Sequence, residues 1–429
     1  MKKKYRIILY TSIFLLCVVA SIILVVKKSN SVYEEESKPK VVKHKSMLSM
    51  NLEQTAGSGD YKTVTQSSWP TEGYKFNAEL SKCENGSTLS WDDTKKAVIV
   101  SGNLSDKCYV YFDIYQPTLA EYIKSQYTGT QGENNIYYHD SDLANGAGDN
   151  SYRYAGANPN NFVCFGSDTS PCPTDNLYRI IGVFGENYHG VTGKQLVKLI
   201  KYDYMTTDEL GTDGDYSQTY KEWGMDSTYK GTYGDGERIG VYYWNYKATG
   251  SATNTWSTSL LNKTNLNTNF INNIGTTWAN KIATVTWKVG GNTYANISDV
   301  VPATTYQNEI VNPVTTNTTD NATTYSAKLG LMYVSDYGFA ASPDAWTLTM
   351  SSYNNTTATN NNWMYMGLYE WTFSRNADTS NDAFDVDVDG VVNYSSVSFY
   401  RGVRASFSLE SSVSYVSGSG SMSDPIVIN

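Results

Sequence analysis

The hydrophobic pattern changes character along this chain. Residues 7–26, IILYTSIFLLCVVASIILVV, run without a charge. At about 1.5 Å per helical residue such a run spans about 30 Å, the thickness of a bilayer core. Lys2, Lys3, Lys4 and Arg6 precede it. This predicts a cytoplasmic tail over 1–6 and a transmembrane signal anchor over 7–26. Lys27 and Lys28 follow the run, so the charge asymmetry is imperfect, and a signal peptide cleaved after Ala20 is the competing reading. In either case the remainder is exported. Residues 27–68 show no sustained period; their charge runs and their Gly, Ser and Thr predict a flexible stalk.

Alternation begins after the stalk. YKFNAEL, STLSW, AVIVS and CYVYFD are β-prone runs separated by turn-formers, which predicts a small β domain over 69–114. Pro117-Thr118 then offers a helix start, and Leu119, Tyr122 and Ile123 follow at helical spacing, giving a connector helix within 115–126. Residues 127–410 read as the main body. LYRIIGVF (177–184) and KQLVKLIKY (194–202) predict a long hairpin, and 255–274 carries apolar residues at helical spacing. KLGLMYVSDYGFA (328–340) reads as a strand and then a turn or short helix. EWTFSRN, AFDVDVDGVVNYSS and YRGVRASFSL read as closing strands. Strands and helices mix without a βαβ rhythm, so the expected class is α+β. Residues 411–429 are expected to be a C-terminal tail.

Composition narrows the reading. Charged residues make up only 17% of the 429, and there are 36 Tyr. Tyrosine combines apolar area with a hydrogen-bonding tip, which suits carbohydrate or protein contacts, although it is also a good strand residue. The net charge of -9 argues against a nucleic-acid partner, which needs clustered Lys and Arg. Beyond Cys17 the cysteines are Cys83, Cys108, Cys164 and Cys172. Proximity in sequence favours Cys83–Cys108 and Cys164–Cys172 disulfides, in keeping with an oxidising compartment.

Long strings in the chain resemble a family of exported surface proteins from Gram-positive gut-type bacteria. They include YIKSQYTGTQGENNIYYHD, NSYRYAGANPNNFVCFGS, NLYRIIGVFG and LGLMYVSDYGFAASPDAW. The closing part also resembles a widespread bacterial surface domain of unknown function. It keeps Trp371, Ser374, Arg375, Gly390, Gly402, Val403 and Arg404, with Ala405 where that pattern has Pro. This second resemblance implies a distant relation to the C-type-lectin-like fold over 127–410. The sugar-binding strings of calcium lectins are absent, as are the late cysteines that formylglycine-generating enzymes use.

Candidate chemistry is sparse. Trp363, Tyr369, Trp371, Arg375, Arg401 and Arg404 are expected to line a ligand groove, since aromatic faces and guanidinium forks suit sugars or acidic groups. The competing reading places Trp371 in the core and pairs the arginines with nearby Asp or Glu370. Asp385, Asp387 and Asp389 have the spacing to share calcium, or else to flank a tight hairpin turn at Asp389-Gly390. No other cofactor is implied. His139, beside Asp140 and Asp142, is the best hint of a hydrolase, but no nucleophile or phosphate-binding string accompanies it. The expectation is therefore a non-enzymatic, single-pass membrane protein with an extracellular domain that binds a glycan or protein. A structural subunit of a cell-envelope or pilus-like assembly is the alternative, and an exported hydrolase the third reading.

Overall fold

The computed structural model describes residues 48–65, 68–70, 73–185, 189–223, 228–247, 252–313, 322–353 and 360–429. They fall into two compact units, divided between Gln116 and Pro117. The predicted anchor at 7–26 lies outside the described residues. Among those described, no helix is long and apolar enough to cross a membrane.

The first unit contains β1 (Leu48–Glu53), β2 (Tyr61–Val64), β3 (Tyr74–Cys83), β4 (Thr88–Asp92), β5 (Ala97–Ser101) and β6 (Cys108–Ile114). Four of these form a sheet in the order β2-β1-β6-β3, and β4 pairs with β5 as a hairpin. In β6 the period of two turns Cys108, Val110 and Phe112 inward. They meet Met50 and Leu52 from β1, and Trp69, Phe76 and Trp91 pack around Phe112. Cys83 and Cys108 are direct partners across β3 and β6 and are joined as a disulfide. This sheet takes in part of the stretch expected as a stalk over 27–68. Residues 48–53 and 61–64 are strands, because Met50 and Leu52 complete the core that β6 needs.

The second unit opens with α1 (Leu119–Ser125), started by a capping box between Thr118 and Glu121 and burying Leu119, Ala120 and Ile123. Its strands are β7 (Ile136–His139), β8 (Ser151–Tyr154), β9 (Phe162–Cys164), β10 (Leu177–Phe184), β11 (Leu196–Lys201), β12 (Tyr216–Thr219), β13 (Gly240–Tyr243), β14 (Val285–Lys288), β15 (Gly291–Asn292), β16 (Thr324–Ala327), β17 (Leu329–Gly330), β18 (Glu370–Asn376), β19 (Asp382–Val386), β20 (Val392–Ser396), β21 (Tyr400–Gly402), β22 (Ser406–Ser408), β23 (Tyr415–Ser417) and β24 (Val427–Ile428). One sheet runs β17-β22-β11-β10-β8-β7, with β9 also on β10. A second runs β12-β13-β21-β18-β19-β20, with β15 also on β18. The largest apolar core joins residues of both sheets, including Leu199, Tyr242, Trp371 and Phe407, and a second does so through Ile181, Ile200, Phe384 and Val386. Two short helices matter below: α2 (Pro302–Tyr306), which continues as a π-helical turn Gln307–Val311, and α3 (Val334–Ala340).

The α+β class, and the C-type-lectin-like body with it, is corrected. The described residues are mostly β, with 34% strand and 21% helix. The cause is local. The expected helix over 255–274 is realised chiefly as the π-helical Leu261–Phe270, and most other helices are only a few residues long. Residues 411–429, expected as a C-terminal tail, contain β23 and β24. Ile426 and Ile428 are buried, and Ile426 exchanges backbone hydrogen bonds with Phe162 and Cys164.

Removing the first-unit disulfide tests this account. Cys83→Ala with Cys108→Ala is expected to cost that unit about 3 kcal/mol, the magnitude for a loop of this length. Urea unfolding, followed by Trp fluorescence, should show an early transition absent from the native chain.

Candidate functional site

The six residues expected to form a groove are mostly spent inside the fold. Trp363 and Trp371 are buried, and their indole N–H groups donate to the carbonyls of Tyr154 and Tyr242, each at 2.9 Å. Arg404 is buried, with Nε 2.8 Å from Glu370 Oε1 and Nη2 2.6 Å from the Met364 carbonyl. Arg375 donates from Nε to the Val289 carbonyl, and burial pushes it down to about 10. Arg401 donates from Nε to Asp385 Oδ2 at 2.6 Å and from Nη2 to Ser395 Oγ at 2.8 Å. Its guanidinium lies 4.5 Å from the ring of Tyr369 and 5.6 Å from those of Trp371 and Phe399. Half-buried Tyr369 and exposed Phe399 bring this cluster to the surface. A buried guanidinium must be paired, and the available carboxylates and carbonyls take these arginines up.

The three aspartates that could share calcium or flank a turn have different surroundings. Asp385 is committed to Arg401 and Ser395. Asp389 is exposed in the turn, where it accepts the Val391 N–H and Gly390 takes a φ of 92°. Among the described residues no group of three or more His, Cys, Asp or Glu side chains is placed to hold a metal ion. Asp387 remains half-buried, and burial followed by the charge of Asp385 pushes it up to about 6.

His139 does not face the carboxylates beside it in sequence. It is buried against Phe339 and Trp346, and its Nδ1 accepts the Ala147 N–H at 3.0 Å. Asp140 instead caps a turn by accepting the N–H groups of Asp142 and Leu143.

Two arrangements escaped the sequence reading. The first is a buried network of charges. Arg153 Nη2 lies 2.7 Å from Asp149 Oδ2, and His189 Nε2 lies 3.0 Å from the same oxygen. Arg153 Nη1 lies 3.9 Å from Asp336 Oδ1, and Asp336 Oδ2 also contacts the Lys198 ammonium. Glu309 is buried at the start of α3, accepting the N–H groups of Val334 and Ser335 at 2.9 Å each.

The second is a partly exposed tyrosine cluster on β7 and β8. Tyr138 and Tyr152 are direct cross-strand partners, and their rings stack with centroids 4.6 Å apart. Tyr127, just beyond α1, lies 5.9 Å from Tyr138 and 5.7 Å from Tyr152. Lys124 Nζ sits 5.7 Å from the Tyr152 ring and donates to Gln195 Oε1. The Gln131 amide pairs with both backbone groups of Tyr138, closing this edge of the sheet as a neighbouring strand would. Tyr138 OH donates to Asn150. The local signal was present in IYYH and SYRY, but their register was needed to put these rings on one face.

Compared with protein-family models, with curated proteins and with solved structures, the chain matches none of them.

Two outcomes check these assignments. Arg404→Leu leaves Glu370 buried without its cation and is expected to cost about 3–5 kcal/mol in a denaturant melt. For Asp387 the folded value, about 6, exceeds the ordinary 3.8. The folded chain therefore holds this proton more tightly than the unfolded chain does. Its contribution is full below about pH 4 and is lost as pH rises toward about 6. Asp387→Asn should flatten that stretch of the stability–pH curve, measured by thermal melts across the range.

Proposed function

We propose that this chain is a binding protein displayed outside the cell, held to the membrane by residues 7–26, that takes a carbohydrate ligand on the Tyr127–Tyr138–Tyr152 surface. The observation that carries the reading is the tyrosine cluster itself. Its rings make contact with one another at the surface, so they are held in place before any ligand arrives and lose little freedom on binding. Aromatic rings offer apolar area for sugar C–H faces, and the phenol tips and nearby amides of Gln131, Gln195 and Asn150 offer hydrogen bonds.

Other features support the placement outside the cell. Both disulfides suit an oxidising compartment. The resemblance to exported surface proteins of Gram-positive gut-type bacteria points the same way, as do the low charge and the basic residues ahead of the apolar run. No step of the reading calls for a metal.

The full chain on a broad glycan array should retain a defined set of sugars, with and without EDTA. Tyr138→Ala and Tyr152→Ala should each weaken retention by about tenfold, equivalent to about 1.4 kcal/mol. Absence of any retained glycan, or equal binding by these variants, removes the carbohydrate reading. Protease added to intact cells should release the second unit; a protected unit removes the extracellular one.

A further inference from the structure

Lys198 occupies the middle of β11, which lies between β10 and β22 within its sheet. Its ammonium contacts Asp336 Oδ2, and the two side chains are 5% and 3% exposed. Asp336 stands in the first turn of α3, where the same oxygen accepts the Tyr333 N–H at 3.0 Å. Aromatic rings wall the pair: Lys198 Nζ lies 4.5 Å from the Tyr333 centroid, 5.3 Å from Trp287 and 5.9 Å from Phe184. Glu309 is buried at the same helix start, its two oxygens on the N–H groups of Val334 and Ser335. Arg153 Nη1 is 3.9 Å from Asp336 Oδ1, the oxygen not in contact with the lysine.

We propose that Lys198 and Asp336 are joined in the mature protein by an intramolecular isopeptide bond, formed by the fold itself with Glu309 as the proton shuttle. In water an ammonium and a carboxylate do not condense: the nitrogen has no free lone pair and the carboxylate resists attack. Burial alters both. A low-dielectric enclosure disfavours separated charges, so the ion pair can relax by one proton transfer to an amine and a carboxylic acid. Burial lowers the proton affinity of the Lys198 ammonium and pushes Glu309 up to about 7, so that Glu309 both gives and takes a proton readily under neutral conditions.

The lone pair of Lys198 Nζ then attacks Cγ of Asp336. Negative charge gathers on Oδ1, on the side where Arg153 stands. Glu309 gives its proton to the departing hydroxyl and recovers one from the nitrogen. One N–C bond forms, one C–O bond breaks and one water leaves, with no change of oxidation state and no added reagent. The product ties β11 to α3, 138 residues apart in sequence. Linking sites so distant removes much of the freedom of the unfolded chain.

The test is the mass of the full chain, purified from expressing cells, reduced and denatured. The native sequence should be lighter by one water than its residues require. Lys198→Met and Glu309→Gln should each carry the full mass expected for their residues. Proteolysis of the native chain should release a branched peptide joining the Lys198 and Asp336 segments. Glu309→Gln keeps the side-chain volume and an acceptor for a backbone N–H, so its fold can be checked by circular dichroism alongside its mass. A folded native chain of full mass overturns the proposal and leaves an ordinary buried ion pair. An equal water loss in Glu309→Gln, or a branch at other residues, overturns it too. The mass of the native chain decides the matter even where a variant fails to fold.

Discussion

The second unit depends on how it accommodates ionised groups in its interior. A lysine in the middle of a central strand, an arginine on β8 and carboxylates from several segments all lose their water when the layers close. Each such charge costs several kcal/mol unless it meets a partner at short range. Lys198 meets Asp336, Arg153 meets Asp149, and Glu309 meets the free N–H groups that open α3. These contacts fix where α3 must start and how it sits against β8 and β11. Apolar packing alone would tolerate several such positions; a buried ion pair tolerates far fewer.

The same rule organises the other sheet. Arg401 is held by Asp385 from β19 and Ser395 from β20, while Arg404 is held by Glu370 from β18. Both arginines lie where the chain leaves β21 in one sheet and enters β22 in the other. The intervening backbone is pinned as well, with the Val403 and Ala405 carbonyls accepting from Met205 and Lys201. The Gly-Val-Arg stretch therefore marks the crossing between sheets. A motif that reads as ligand-binding from its residue types is here a structural joint, because its cations face inward.

This division between inside and outside bears on function. Several arginines and acids of the second unit, and both its histidines, are drawn into the interior or its margin. The surface is rich in Tyr, Asn, Thr and Ser, the residues that replace charge in this composition. A partly exposed cluster of tyrosines held by its own ring contacts is the arrangement such a surface offers for recognition.

Local patterns in the sequence determined a good deal. Short β-prone runs marked β3 to β6, the β10–β11 hairpin and the run from β18 to β22, and Pro117-Thr118 marked the start of α1. Proximity of Cys83 to Cys108 and of Cys164 to Cys172 anticipated both disulfides. These signals are legible because they act within one element or between near neighbours. The tertiary structure alone decided that Met50 and Leu52 belong to a core rather than a stalk, and that Trp371 and Arg404 are interior. It alone put Tyr138 beside Tyr152, and Lys198 against a carboxylate 138 residues away. Residue type and spacing carry no record of such distances. Which charge meets which is settled only when the strands take their register and water is excluded between them.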